Sequence, residues 1–69
     1  MDWTVDFVST PDSDYDFVDI FFKEKEIATI KKNSERQIII SWRKSENDYD
    51  IPLDWFLGLL KEAQKRLQK

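Results

Sequence analysis

Alternating aspartates in the segment "DSDYD", residues 12–16, are the first residues whose type and spacing could do chemistry. Asp12, Asp14 and Asp16 repeat the spacing of the first three ligands of a calcium-binding loop. Such a loop needs glycine at its sixth position and glutamate at its twelfth, where this chain has Phe17 and Lys23. We therefore interpret the segment as an acidic turn before a strand and expect no metal site.

The same aspartates could act as charges rather than as ligands. In an extended segment, alternate side chains project to one side at intervals of roughly 6.6 Å, which resembles the repeat of charges along a polynucleotide backbone. A basic protein groove that accepts DNA or RNA could then accept this segment. Alternate aspartates also protect an edge strand against aggregation, and the sequence leaves both interpretations open.

Catalytic groups are scarce in the sequence. The chain has no histidine and no cysteine, so it cannot build a Ser–His or Cys–His nucleophile. Its one glycine, Gly58, falls in a predicted helix, which argues against a glycine-rich phosphate-binding loop. A carboxylate pair would need a deep cleft, which is not expected in a chain of 69 residues. We expect a protein that is not an enzyme and uses no cofactor.

Charge is distributed unevenly along the chain. Residues 1–22 carry a local charge of −6 and no basic residue, whereas residues 23–69 hold 11 basic and 8 acidic residues, or +3. A basic cluster around strand ends, Lys31, Lys32, Arg36, Arg43 and Lys44, has Trp42 nearby for stacking. The pI near 4.8 and the acidic N-terminal third argue against direct nucleic-acid binding and favour a partner protein with a basic surface, such as a nuclease or toxin.

Alternation of apolar and polar residues predicts four strands, at about residues 2–8, 15–22, 26–31 and 37–43. Short polar links predict an antiparallel β-meander, with a fifth short extended segment considered at 48–51. After Pro52 the spacing becomes helical and predicts one C-terminal helix at about 53–68. The expected fold is α+β, a single compact domain over residues 1–69 with the helix packed on one face of the sheet. No apolar run could span a membrane and no secretion signal is visible, so a cytoplasmic location is expected.

The two faces of the predicted sheet differ in charge. The uncharged sets Trp3/Val5/Phe7, Val18/Ile20/Phe22 and Ile38/Ile40/Trp42 are the better core. The opposite face then carries Tyr15, Phe17, Phe21 and Ile39, with Asp19 and Arg43 among them. Because a single helix covers only one face, these rings should remain accessible on a face that would ordinarily be polar. The alternatives are a homodimer that buries this face and a bulge that inverts the assignment of one strand.

Trp55 and Leu57, on the flanks of the helix stripe, are expected to complete the contact between helix and sheet.

Aromatic anchors beside carboxylates are typical of a binding surface. We predict a partner-binding site formed by Asp12, Asp14, Tyr15, Asp16, Phe17, Asp19, Phe21, Ile39 and Arg43. In size and composition the chain resembles the broad class of immunity proteins and phage-encoded anti-defence or anti-CRISPR inhibitors, although no diagnostic motif carries this likeness. The predicted function is a stoichiometric inhibitor that docks a basic protein surface. The alternative is a small assembly subunit that homodimerises through the same face.

Overall fold

The structure, a computed structural model, describes residues 2–9, 16–45 and 47–68. It contains a four-stranded antiparallel sheet and one C-terminal helix, which confirms the predicted α+β fold. The elements are β1 (Trp3–Val8), β2 (Phe17–Phe22), β3 (Lys25–Lys32), β4 (Ile38–Trp42) and α1 (Leu53–Leu67). Residues 47–51 contain no strand, so the fifth extended segment is absent there. None of the described residues forms a helix long and apolar enough to cross a membrane.

The strands follow one another in the sheet in chain order, so that β1 and β4 form its edges. The turn between β2 and β3 consists of Lys23 and Glu24, which both have positive φ, 49° and 72°. This is the backbone of a tight two-residue hairpin turn, a position that favours Asn-Gly. In the β3–β4 turn, the Asn33 side chain accepts hydrogen bonds from the backbone N–H groups of Glu35 and Gln37.

A β-bulge interrupts the pairing of β2 with β3. Ile20 pairs with Ala28 whereas Phe21 pairs with Glu26, which leaves Ile27 as an extra residue in β3. Ile27 is buried in the core. The extra residue reverses the alternation, because Glu26 now lies on the same face of the sheet as Phe21 rather than on the face of Ala28.

The core lies between the helix and one face of the sheet. Its centre is formed by Val18 and Ile20 of β2, which are 1% and 0% exposed. Burying each such side chain contributes on the order of 2 kcal/mol. Other core residues come from β1, β3 and α1: Trp3, Ile27, Ala28, Ile30, Leu59, Ala63 and Leu67. Aromatic rings close one end of the core, where Trp3 contacts Phe22 at 4.9 Å and Trp55 at 5.9 Å between ring centroids.

The helix has charges suited to its dipole, with Asp54 in the first turn and Lys65 and Arg66 in the last. Arg66 is fixed from two sides. Its Nε donates to Glu62 at 2.9 Å, and its guanidinium lies 4.3 Å from the centroid of the Phe7 ring. The helix therefore has its C-terminal end near Phe7 of β1 and its N-terminal end near Trp3.

Three large apolar residues are exposed, and two of them, Trp42 and Leu57, were predicted to pack in the core or along the helix contact. Trp42 is 52% exposed, Leu53 68% and Leu57 47%. The predicted burial of Trp42 in the core was wrong, because β4 is an edge strand and α1 packs mainly on β3. The Trp42 ring lies 6.3 Å from that of Phe56 in the helix, measured between centroids. Of the two flanking helix residues, Trp55 completes the contact with the sheet as predicted, whereas Leu57 does not.

Candidate protein-binding surface

The sheet face that points away from the helix, which we call the outer face, is covered by none of the described elements. Its residues follow from the strand register: Thr4, Asp6 and Val8 of β1; Phe17, Asp19 and Phe21 of β2; Glu26, Thr29 and Lys31 of β3; Ile39 and Ser41 of β4, followed by Arg43. Phe17, Phe21 and Ile39 lie on this face as the sequence predicted, and all three are partly exposed.

The outer face is centred on Thr29, which is 5% exposed despite lying opposite the helix. Its hydroxyl lies 2.9 Å from Asp19 Oδ1 and 2.9 Å from Glu26 Oε1. Arg43 Nη2 donates to the same hydroxyl at 2.9 Å and to Glu26 at 2.7 Å. Because a hydroxyl has one proton, Thr29 donates to one carboxylate at a time and accepts from Arg43. These four side chains from three consecutive strand segments thus form one hydrogen-bonded network.

The two carboxylates of the network have opposite pKa shifts. Burial raises the pKa of Asp19, and the nearby charge of Glu26 adds to this effect, although the hydrogen bond from Thr29 opposes it. The pKa of Glu26 is lowered by the hydrogen bond from Thr29 and then by that from Arg43. Asp19 also pairs across strands with Asp6. The network therefore holds Glu26 as the ionised partner of Arg43, while Asp19 is the carboxyl whose charge is disfavoured.

A shallow depression of about 300 Å³ lies over this network. Its charged lining consists of three acidic residues, Asp16, Asp19 and Glu26, and three basic ones, Lys31, Lys32 and Arg43, together with Phe17 and Thr29. The lining residues therefore carry no net charge. Across the outer face the charges are partly separated, since Asp6 and Asp19 give β1 and β2 two negative charges, whereas Lys31, Arg43 and Glu26 give the β3–β4 half one net positive charge.

The predicted site residues fall into two groups. Phe17, Asp19, Phe21, Ile39 and Arg43 share the outer face, and Asp16 borders the depression. Asp16 also borders a smaller depression of about 150 Å³ near the C-terminal end of the helix. Asp12, Asp14 and Tyr15, and with them most of the calcium-like segment, lie outside the described residues.

Sequence reasoning missed Glu26, Thr29 and Lys31 as members of this surface. Glu26 has the strand parity of Ala28, which predicts the core face, and only the bulge at Ile27 turns it outward. Thr29 and Lys31 alternate with the core residues Ala28 and Ile30, which places both on the outer face. The signal that could have located them was therefore the alternation of β3, once Ala28 and Ile30 had been assigned to the core.

The comparisons with known proteins add no further residues to this surface. No protein-family model, no curated protein and no solved structure matches the chain. The outer face must therefore be interpreted from its own geometry.

Proposed function

We propose that this protein is a small protein-binding module that acts as a stoichiometric inhibitor, in the manner of immunity or phage anti-defence proteins. It docks a basic surface of its partner through the acidic β1–β2 half of the outer face. The observation that carries the proposal is the position of Phe17 and Phe21, which lie beside Asp19 on a sheet face that no described element covers.

Apolar rings on an uncovered face supply the area that a partner would bury. Rings next to fixed polar groups are typical of interface anchors, since the surrounding polar residues exclude water from them. The network around Thr29 supports such a role, because its hydrogen bond to Asp19 holds this carboxylate in place beside the two rings before a partner arrives. Preorganised side chains lose less conformational entropy on binding than mobile ones.

The charge separation on the outer face favours one orientation of the partner. A basic patch would meet Asp6, Asp16 and Asp19, whereas Lys31 would repel it from the β3–β4 half, where Arg43 is already paired with Glu26. Asp12 and Asp14 add two further negative charges to the sequence shortly before β2. These charges would raise the association rate and make it depend on salt.

The experiment is capture of the partner from source cells with the wild-type chain, followed by kinetics with the purified partner. Asp16→Asn combined with Asp19→Asn should slow association about tenfold at low salt, with a smaller effect at high salt. Phe17→Ala should increase the dissociation rate about tenfold or more. Circular dichroism melting checks that each variant is folded.

Asp50→Asn combined with Asp54→Asn is the matched control, because it also removes two carboxylate charges, both from exposed residues around the start of the helix on the opposite side of the sheet. It should leave both rates close to those of the wild type. If the control slows association as much as the Asp16/Asp19 variant does, only net charge matters and the proposed surface is wrong. Unchanged dissociation in Phe17→Ala would equally remove the aromatic anchor from the proposal.

A further inference from the structure

The outward edge of β4, which we call the free edge, is a further surface that no described element covers. In the described part of the chain β4 pairs only with β3. The N–H of Arg43 donates to the C=O of Ile27 at 2.8 Å, which fixes the direction of the backbone groups. Since these groups alternate along a strand, Ile39 and Ser41 also point to β3. The N–H and C=O groups of Ile38, Ile40 and Trp42 therefore point outward.

The free edge lacks the features that protect edge strands. β4 has the sequence IIISW, without a charge, a proline or a bulge. β1, the opposite edge, carries Asp6 within the strand. Tyr49, in the chain that follows β4, packs against Trp3 and Phe22 at the β1–β2 side of the molecule, away from the free edge.

We propose that the free edge is a self-association surface, where β4 pairs with β4 of a second copy of this chain about a two-fold axis at Ile40. The inference does not depend on the proposed function. In this register Ile40 lies opposite Ile40 of the second copy, and Ile38 opposite Trp42. Each of these residues donates one hydrogen bond to the second copy and accepts one from it, because its N–H and C=O groups both point outward. The pairing is isologous, as a two-fold dimer requires.

The exposed apolar side chains of the protein lie where this dimer would bury them. Leu53 and Leu57 are one turn apart, on the flank of α1 opposite to Trp55, which contacts β1. That flank faces the β4 side, where Trp42 contacts Phe56. Trp42, Leu53 and Leu57 are the large apolar residues that are most exposed among those described. An unrelated extended peptide at the free edge would cover Trp42 but would leave the two leucines in water.

A second copy also fits the distance that edge pairing would set between the two helices. Because α1 lies over β3, edge pairing would place the two helix axes about three strand spacings apart, or roughly 14 Å. Close-packed helices lie about 8–10 Å apart, so a groove remains between them. Its floor is Ile38, Ile40 and Trp42 of both copies, and the leucines of both copies fill it. The area is at the low end for specific interfaces, so the dimer should be reversible.

Sedimentation equilibrium of the full chain, across roughly 1 µM to 1 mM, tests the proposal. The wild type should change from monomer to dimer within this range. Trp42→Lys, which places a charge at the free edge, and Leu57→Glu, at an exposed helix position, should each weaken dimerisation about tenfold or more. Phe21→Arg, on the outer face, should leave it unchanged.

Hydrogen exchange supplies a second measurement that does not need a substitution. Exchange of the Ile38, Ile40 and Trp42 amides should slow as the protein concentration rises, while the amides of β1 should not respond. A wild type that stays monomeric at the highest concentration would overturn the proposal. A dimer that persists in Trp42→Lys and is lost in Phe21→Arg would also overturn it, in favour of a dimer through the outer face.

Discussion

Thr29→Val is the most direct test of the network at the centre of the outer face. Valine has nearly the same shape, so the substitution removes the hydroxyl and leaves the packing in place. The hydroxyl serves two hydrogen bonds at once, one donated to Asp19 or Glu26 and one accepted from Arg43, each at 2.9 Å. Each is worth about 1–1.5 kcal/mol net, below the usual value for a charged partner because Glu26 and Arg43 are partly exposed to water.

The loss of both hydrogen bonds should cost about 2–3 kcal/mol, and the additional buried methyl group offsets about 0.8 kcal/mol of this. We expect a net decrease of about 1–2 kcal/mol in the free energy of unfolding. For a chain of 69 residues the total is on the order of 3–10 kcal/mol. The melting temperature should therefore fall by roughly 5–15 °C.

Urea denaturation and thermal melting measure this change, and Thr4→Val is the matched control. Thr4 lies exposed on the outer face of β1, and its substitution should change stability by less than about 0.5 kcal/mol. The Glu26 pKa, followed by NMR, should rise in Thr29→Val, because the hydrogen bond from Thr29 is the main cause of its lowering. A variant as stable as the wild type, with an unchanged Glu26 pKa, would refute the network.

Three further substitutions test other parts of the structure. Asp19→Asn should stabilise the protein at pH 7 and have little effect near pH 3. A carboxyl whose folded pKa is raised loses its stabilising contribution as pH rises through that pKa, and asparagine has no charge to lose. Urea titrations at both pH values measure the difference, and an equal effect at both would contradict it. Lys23→Asn with Glu24→Gly should raise stability by about 1–2 kcal/mol in urea denaturation, since both residues have positive φ; no gain would mean that the turn is not strained. Gly58→Ala should add about 1 kcal/mol, because an added Cβ meets nothing within 4 Å, and a lower melting temperature would show that the position is packed.

Much of the fold could be predicted because the sequence patterns of β2, β4 and α1 are unambiguous. Val18, Ile20 and Phe22 alternate with residues of the other face, so simple alternation assigns every residue of β2 to the correct face of the sheet. In α1, Leu59, Ala63 and Leu67 recur at the spacing of one helix face. These periodicities are local properties, and local sequence is sufficient to find them.

The remaining features depend on contacts between segments. Ile27, which sequence alternation alone would place opposite Ala28, is buried as the extra residue of a bulge, and only the pairing with β2 shows this. Trp42 has the parity of the core, yet its exposure depends on which strand lies at the edge and on where the helix crosses the sheet. The residues on the outer face were therefore predicted correctly for β2, where alternation decides the face, and incompletely for β3, where the bulge decides it.

The two uncovered surfaces have one cause. The described residues form a sheet of four strands and one helix of 15 residues, and that helix packs mainly on β3. The outer face remains open because no second helix covers it, and the free edge remains open because no fifth strand pairs with β4 within the described residues. The two surfaces meet along β4 at right angles, since side chains project from one and backbone groups from the other. Pairing at the free edge would consequently leave the outer faces of both copies accessible, side by side on one continuous sheet. A dimer would then present two partner-binding surfaces, so self-association and partner binding are compatible in this fold.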